Sequence, residues 1–388
     1  MRRERTSMLY TRAFIALFIA NFTTVASFTA FFLFPLFIID HGGGQDDVGI
    51  IMGIFALASA LCRPWISEMI DRFGRKRSYT LGCVIMTAMP LCYLPLSGHL
   101  DDFYAILLVI RILHGIGLAI CFTSVFTFIA DLIPADRLNE GIGMFGISGL
   151  VGMAAGPALA EPILQHFGYA TYLVTASILA GISLILHLPL KDLYVLDHTQ
   201  AKISFFTLLG RRKLAVVGLL SMIFGICVAA TGNFVAPLAE VRGIDFVSRF
   251  YIAYSLTAIL IRFAGGRIAD VRGEFQLLPF ALTISAAGLF LLSVASGGWT
   301  LILAGVLAGC GHGLLFPTLN ALAIRDEPAP IRGKITGIFT GGIDTGIFIG
   351  SLTLGYLAEH FGLTALFLTA GLAVLAGLGI RRFWSPPV

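Results

Sequence analysis

Twelve long apolar runs divide the chain, and they restrict its fold more than any other feature. Each run approaches or exceeds the roughly 20 residues that a helix needs to cross a bilayer. The runs are too long for barrel strands and do not alternate between polar and apolar residues, so helices are predicted to satisfy the backbone in lipid. The predicted spans cover residues 13–39, 48–70, 78–97, 103–130, 140–165, 168–190, 214–239, 248–268, 276–296, 299–323, 334–358 and 363–383.

The composition is that of a membrane protein. Of the 388 residues, 57% are hydrophobic and 12% are charged, whereas soluble domains have about 45–50% apolar and about 25% charged residues. The net charge is +4, and the basic residues lie in short clusters between the apolar runs. Such clusters do not form one basic face on a folded domain, so no nucleic-acid partner is expected.

The distribution of Lys and Arg indicates how the chain is oriented. Of these 26 residues, 21 lie in segments on the side of the N-terminus, two lie in loops on the opposite side and three lie inside predicted spans. The positive-inside rule therefore predicts that both termini are cytoplasmic. The first run is longer than the apolar core of a signal peptide, which has about 7–15 residues, so it is interpreted as a retained first span.

An internal repeat divides the spans into two groups of six. The longest polar stretch, residues 191–213, separates them, and the predicted domains are therefore residues 1–190 and 214–388, joined by a cytoplasmic linker. Duplicated six-helix halves are typical of transporters that bind substrate between the halves, near the middle of the membrane. Three matches occur in the same order in both halves: "CRPWISEMIDRFGR" from Cys62 with "IRFAGGRIADVRGE" from Ile261, "HGIG" from His114 with "HGLL" from His312, and "QHFGY" from Gln165 with "EHFGL" from Glu359.

The charged loop after the second run resembles a motif of the major facilitator superfamily. That motif reads roughly G-x-x-x-D-R-x-G-R-K, and here Ser67 replaces its first glycine. The second half keeps Asp270 and Gly273 but lacks the basic pair. The residues that match in the first half are Asp71, Arg72, Gly74, Arg75 and Lys76.

The resemblance covers essentially the whole chain and implies the fold. It implies an all-α membrane protein with 12 transmembrane helices in two pseudo-symmetric six-helix bundles, similar to drug and metabolite exporters that include a sugar-efflux-like branch. It also implies that the loop charges hold the two halves together on the cytoplasmic side, with Asp71 or Asp131 as the partner of Arg75. The alternative is that these charges only set the membrane topology.

Two further motifs match the same family. Arg111 in span 4, followed by His114, occupies a position that the resemblance assigns to proton coupling; the alternative is an arginine whose side chain extends toward the outer surface. In span 5, Gly152, Gly156 and Pro157 match the G-x-x-x-G-P core of antiporters. The alternative for these three is close helix packing without any meaning for the direction of transport.

Asp344 is the candidate carboxylate for proton coupling or substrate binding. It lies near the centre of span 11 among small residues. An ionised carboxylate is costly at this depth, which suits it to taking up and releasing protons. The alternative is a structural role as the partner of Arg262 or of another polar side chain.

Other polar residues inside the spans are candidates for the substrate cavity. Arg63 and Arg262 occupy equivalent positions in spans 2 and 8, and they either bind an anionic group or are paired in the inner vestibule. His114 and His312 are also equivalent, as titrating groups or as packing residues. The remaining polar candidates inside spans 1, 7 and 10 are Asn21, Asn233 and Asn320.

Two salt bridges are predicted to close the cytoplasmic side. In the first, Glu68 pairs with Arg332 or Lys334; in the second, Arg267 pairs with Glu140. The alternative is that these are unpaired surface charges.

The sequence contains no P-loop, no metal-binding motif and no catalytic constellation. No cofactor, metal or catalytic residue is therefore expected, and the chain is predicted to be a transporter and not an enzyme. The predicted function is proton-coupled efflux of a small amphipathic molecule or metabolite by antiport. The protein is predicted to be a monomer in the bacterial inner membrane. Two alternatives stay open: a proton-coupled symporter that imports a small carboxylate or sugar, and a non-transporting membrane receptor.

Overall fold

The computed structural model describes residues 8–134, 137–192, 205–272, 274–325, 327–328 and 331–380. These residues form twelve membrane-length segments, which we number as spans 1 to 12. Spans 1 to 4 are Arg12–Asp40, Gln45–Phe73, Arg75–Cys92 and Leu100–Leu132. Span 1 consists of the helices Arg12–Ala30 and Phe34–Asp40, joined by the 3₁₀ turn Phe31–Leu33.

Spans 5 and 6 form one continuous helical segment, and so do spans 11 and 12. The first segment is Leu138–His187, of 50 residues, and the second is Arg332–Ile380, of 49 residues. A helix of this length would be about 75 Å long, more than twice the thickness of the hydrocarbon core. Gly168 (φ 74°) and Gly362 (φ 82°) break the two segments. A positive φ favours glycine, so these two residues turn the chain back across the membrane.

The second half otherwise repeats the first. Span 7 consists of Arg212–Asn233 and Val235–Val241 and follows a short helix, Phe205–Leu209. Spans 8, 9 and 10 are Ser248–Arg272, Glu274–Ser293 and Gly298–Ile324. The prediction of twelve helical spans is therefore confirmed, with boundaries that differ by a few residues.

Glycines set the packing of the spans within each half. A Cβ atom on Gly152 in span 5 would lie 2.7 Å from the carbonyl oxygen of Phe22 in span 1. In the second half, a Cβ atom on Gly346 in span 11 would meet the carbonyl oxygen of Met222 in span 7. Since only glycine allows two helix backbones to approach this closely, spans 1 and 5 pack together in the same way as spans 7 and 11.

The two halves contact each other through spans 2 and 11 and through spans 5 and 8. Gly49 in span 2 lies against the backbone of Ser351 and Gly355 in span 11. Gly146 in span 5 lies next to the guanidinium group of Arg262 in span 8.

The two sides of the membrane need names. We call the side on which span 1 begins and span 12 ends the terminal face, and we call the opposite side the distal face.

Candidate functional site

An ion pair joins the two halves between spans 2 and 11. Arg63 Nε donates to Asp344 Oδ2 at 2.6 Å, and Ser59 Oγ donates to the same oxygen at 2.7 Å. The side chains of Arg63 and Asp344 are only 10% and 14% exposed. Because Ser59 and Arg63 are separated by one helical turn, both reach Asp344 from one face of span 2. Asp344 therefore lies at the interface between the halves and not against lipid.

Arg262, the equivalent of Arg63 in the second half, has a different environment. Its Nε atom is buried and has no hydrogen-bond partner among the described residues. The guanidinium carbon lies 5.4 Å from the centre of the Phe316 ring. Asp344 is therefore not seen paired with Arg262, because the carboxylate is held by Arg63 on the facing helix, in agreement with the alternative that it pairs with another polar side chain.

Arg111 is buried inside the first half, with 1% of its surface exposed. Its Nε donates to the carbonyl oxygen of Ile51 at 3.2 Å, and its guanidinium carbon lies 4.5 Å from the centre of the Phe55 ring. The rings of Phe31 and Phe34 lie at 5.9 and 5.5 Å. Cation–π contacts and a backbone carbonyl compensate part of the charge, while Nη1 is buried without a hydrogen-bond partner among the described residues. The alternative that Arg111 extends to the outer surface is wrong, because the side chain is buried.

The two equivalent histidines are buried and hydrogen-bonded to tyrosines. His114 Nδ1 lies 3.2 Å from the hydroxyl of Tyr93, and its Nε2 has no partner among the described residues. His312 Nδ1 lies 2.6 Å from the hydroxyl of Tyr254. Tyr254 also lines a small apolar pocket between the halves, so His312 is one side chain away from that pocket.

Two of the three candidate asparagines hold helices together within a half. Asn21 Nδ2 donates to Ser148 Oγ at 2.7 Å, which joins spans 1 and 5. Asn233 Nδ2 donates to Ser351 Oγ at 2.8 Å, which joins spans 7 and 11. Asn320 differs, because its Oδ1 atom is buried without a hydrogen-bond partner in the described part of the chain.

The charged motif on the terminal face forms a network in the first half. Gly74 (φ 88°) separates spans 2 and 3, and Arg75 Nε donates to Asp131 Oδ2 at 3.1 Å. The backbone N–H of Lys76 donates to Asp192 Oδ2 at 3.0 Å. The residues of this motif and its repeat that lie outside the described part, either entirely or by their side chains, are Ser67, Asp71, Arg267, Asp270 and Gly273.

Two acids on the terminal face pair with arginines that lie three or four residues away. Glu68 pairs with Arg72 and Glu140 pairs with Arg137, each at 2.6 Å. Residues at this spacing on a helix are neighbours, which favours such local pairs. The side chains of Arg267 and Arg332 lie outside the described residues, so the salt bridges from Glu68 and Glu140 across the halves stay predictions.

The glycines of the G-x-x-x-G-P motif lie against span 1. A Cβ atom on Gly156 would lie 2.5 Å from the carbonyl oxygen of Ala26, one turn beyond the contact of Gly152 with Phe22. Pro157 lies inside the helix directly after this contact. These positions thus provide close packing, and the role in antiport stays a prediction.

Two carboxylates close the distal face. Glu161 accepts hydrogen bonds from the backbone N–H groups of Val247 and Ser248, at 2.7 and 2.9 Å, where span 8 begins. Glu359 accepts from the backbone N–H of Gln45 at 2.7 Å, where span 2 begins. Each acid lies at the end of span 5 or span 11 and caps a helix of the other half, where the partial positive charge of the helix N-terminus stabilises it.

Sequence reasoning missed Ser59 and the capping role of Glu359. The repeat "EHFGL" places Glu359 opposite Gln165, and Glu161 lies one turn before Gln165. The acids at the distal ends of spans 5 and 11 were therefore the sequence feature that could have indicated the capping role. Ser59 carried no signal, because a serine in an apolar helix is common and its partner is distant in sequence.

An apolar pocket lies directly beneath the closed distal face. It is lined by residues of both halves, including Phe32, Met153, Thr231 and Tyr251. The Phe32 and Tyr251 ring centres lie 5.2 Å apart across the halves. Only about 10 Å³ is open inside it, which is about the space of one water molecule, so this pocket is too small for a ligand in the described conformation.

Comparisons with known proteins agree with this architecture. The sequence profile of the Major Facilitator Superfamily matches residues 16–326 and 251–388. The multidrug resistance protein MdtG of Enterobacter lignolyticus is 25% identical over 385 residues, covering 94% of this chain and 89% of the relative. Multidrug resistance protein 2 of Bacillus subtilis is 24% identical over 360 residues, covering 88% and 86%.

A solved structure shows the same fold. The crystal structure of a POT family transporter in complex with a thioalcohol-conjugated peptide matches with a TM-score of 0.80, at 16% identity and over 96% of each chain. The twelve spans, the internal repeat and the profile match lead to one conclusion. This chain belongs to the Major Facilitator Superfamily and is a multi-pass membrane transporter, not an enzyme.

Proposed function

We propose that this transporter exports a small amphipathic molecule or metabolite by proton-coupled antiport. It resides in the bacterial inner membrane as a monomer, with both termini in the cytoplasm. The terminal face is then cytoplasmic, and the described conformation is closed toward the outside. The relatives named as multidrug resistance proteins support export over import.

The observation that carries this proposal is the ion pair of Arg63 and Asp344. It links span 2 of one half to span 11 of the other, so it senses their relative position. Protonation of Asp344 removes the negative charge that faces Arg63. Separation of the halves then no longer breaks an ion pair, and proton binding favours a different arrangement of the two halves.

The free energy available from this pair is of the size that a conformational switch needs. Removal of one partner from a buried ion pair costs about 3–5 kcal/mol. A shift of a two-state equilibrium from 1:99 to 99:1 requires about 5.5 kcal/mol. Protonation of Asp344 therefore supplies most of the required bias, and the caps by Glu161 and Glu359 on the distal face supply opposing contacts.

Antiport follows if substrate and proton compete. A substrate that enters between the halves from the cytoplasmic side and donates a hydrogen bond to the ionised carboxylate of Asp344 binds best to the form in which the proton has left. The substrate then moves outward and the proton inward on alternate half-cycles, because each ligand stabilises a different state.

The direction of transport is the test. A thermal-stability screen of the purified protein over drugs, sugars, carboxylates and metallophores selects the compound that stabilises most. Everted membrane vesicles are then incubated with that compound under imposed pH gradients. The proposal predicts that the vesicles accumulate the compound only when their interior is acid. Accumulation without a pH gradient, or with the gradient reversed, contradicts the proposal.

A second candidate function is import of a small carboxylate by proton symport. Arg262 favours it, since this cation lies between the halves without a hydrogen-bond partner among the described residues at its buried Nε. The same vesicles separate the two functions. A symporter that imports in the cell accumulates the compound in everted vesicles when the external medium, and not the interior, is acid.

A further inference from the structure

Arg63 and Arg262 are equivalent in the repeat but have unequal partners. Arg63 lies in span 2 and faces span 11, and Arg262 lies in span 8 and faces span 5. Arg63 has a carboxylate, Asp344, at 2.6 Å. The Nε atom of Arg262 is buried and has no hydrogen-bond partner among the described residues.

The packing contacts identify the residue of span 5 that corresponds to Asp344. Gly152 meets the carbonyl oxygen of Phe22, and Gly346 meets that of Met222, so these two glycines are equivalent. Asp344 lies two residues before Gly346, and Leu150 lies two residues before Gly152. The first half therefore has a leucine at the position where the second half has its acid.

The residue of span 5 that lies against Arg262 is a glycine. A Cβ atom on Gly146 would lie 2.8 Å from Arg262 Nη1, so the guanidinium group lies against a residue without a side chain. On its other side, the Phe316 ring centre lies 5.4 Å from the guanidinium carbon. A buried arginine is costly unless it is paired or hydrated, and the Nε atom of this one has no hydrogen-bond partner among the described residues.

We propose that Arg262 binds a carboxylate of the transported molecule, in the place that the side chain of Asp344 occupies beside Arg63. A planar carboxylate matches the fork of the guanidinium group, which donates two parallel hydrogen bonds to it. The apolar part of the ligand lies along Phe316, so the preferred substrate is a small amphipathic anion. This inference rests on the proposed transport function and names its substrate class.

Matched ligands test the subsite directly. Thermal-shift titrations of the purified full chain use octanoate and 1-naphthylacetate, each with its uncharged primary amide. Wild-type protein is expected to bind each carboxylate about tenfold or more tightly than its amide, the range for hydrogen bonds to charged groups. Arg262→Gln removes this preference, and Arg262→Lys keeps part of it because the charge remains without the fork.

A second pair of variants keeps the test valid if Arg262→Gln does not fold. Leu150→Asp supplies a fixed carboxylate at the position equivalent to Asp344, so it is expected to abolish the preference for carboxylates while Arg262 is present. Leu150→Asn, of nearly the same shape but uncharged, is expected to keep the preference. Equal binding of carboxylates and amides by wild type, or an unchanged preference in Leu150→Asp, overturns the subsite.

Transport separates this inference from the proposed function. If the subsite is wrong but proton antiport is right, wild-type proteoliposomes accumulate carboxylates and amides equally under a pH gradient. If the subsite is right but proton antiport is wrong, the preference for carboxylates persists in the titrations while no gradient drives accumulation.

Discussion

Arg63 and Asp344 are 281 residues apart in the chain, yet Arg63 Nε lies 2.6 Å from Asp344 Oδ2. The two side chains are largely buried, Asp344 accepts a further hydrogen bond from Ser59, and the pair joins the two halves of the repeat. This ion pair is a structural contact between the halves, and the proposed function makes its carboxylate the proton-binding group. It is therefore the point at which a change of charge reaches both six-helix halves directly.

The distal closure by Glu161 gives the first prediction. Its carboxylate caps span 8, and loss of a helix cap costs about 1 kcal/mol, which corresponds to about a fivefold larger open population. Glu161→Ala is therefore expected to raise labelling of Thr231→Cys by a membrane-impermeant maleimide about fivefold. Thr231 suits this assay because it is buried in the pocket beneath the closure.

Glu240 provides the matched control for this experiment. It is an exposed glutamate on the same face. In a background without the native cysteines, Glu240→Ala is expected to leave the labelling rate unchanged. Equal labelling in the Glu161 and Glu240 variants would show that the cap does not hold the distal face closed.

The glycine contacts between spans 7 and 11 give the second prediction. Gly346→Ala places a methyl group against the carbonyl oxygen of Met222, and overpacking of this kind costs about 1–3 kcal/mol. The midpoint of thermal unfolding in detergent is expected to fall. Gly143→Ala is the control, because nothing lies within 4 Å of its Cβ position; it is expected to keep or raise the midpoint, since alanine is the better helix former.

The three phenylalanine rings around Arg111 give the third prediction. Arg111 and Arg249 both lie 4.5 Å from a phenylalanine ring centre, but Arg111 is buried and Arg249 is exposed. Arg111→Ala is expected to lower the free energy of unfolding by more than about 1.5 kcal/mol, because a charged hydrogen bond is lost. Arg249→Ala is expected to change it by less than about 0.5 kcal/mol. Similar losses in both variants would contradict a stabilising role of burial at Arg111.

The lengths of the apolar runs and the repeat were sufficient to predict the twelve spans. Even the turns at Gly168 and Gly362 lie in the repeated "HFG" motif. These features depend on local sequence and on the thickness of the bilayer, so one sequence reveals them. Asp131 was one of the two partners that the resemblance implied for Arg75, and the structure pairs these two residues.

The individual ion pairs across the halves could not be derived in the same way. Glu68 has a local partner, Arg72, which the predicted contact with span 11 did not include. Arg63 and Asp344 were both recognised as candidates, but their contact depends on the depth at which spans 2 and 11 cross. That depth is set by tertiary packing of Gly49 against span 11 and not by any local pattern.

The most direct test of proton coupling is transport by Asp344→Asn in proteoliposomes, with the compound that stabilises the protein most. Asp245→Asn, a change at an exposed acid, serves as the control and is expected to behave like wild type. Without its titratable carboxyl group, Asp344→Asn is expected to exchange labelled for unlabelled compound at equal pH but to lose accumulation driven by a pH gradient. Accumulation by Asp344→Asn at the wild-type level under that gradient would contradict a coupling role for Asp344.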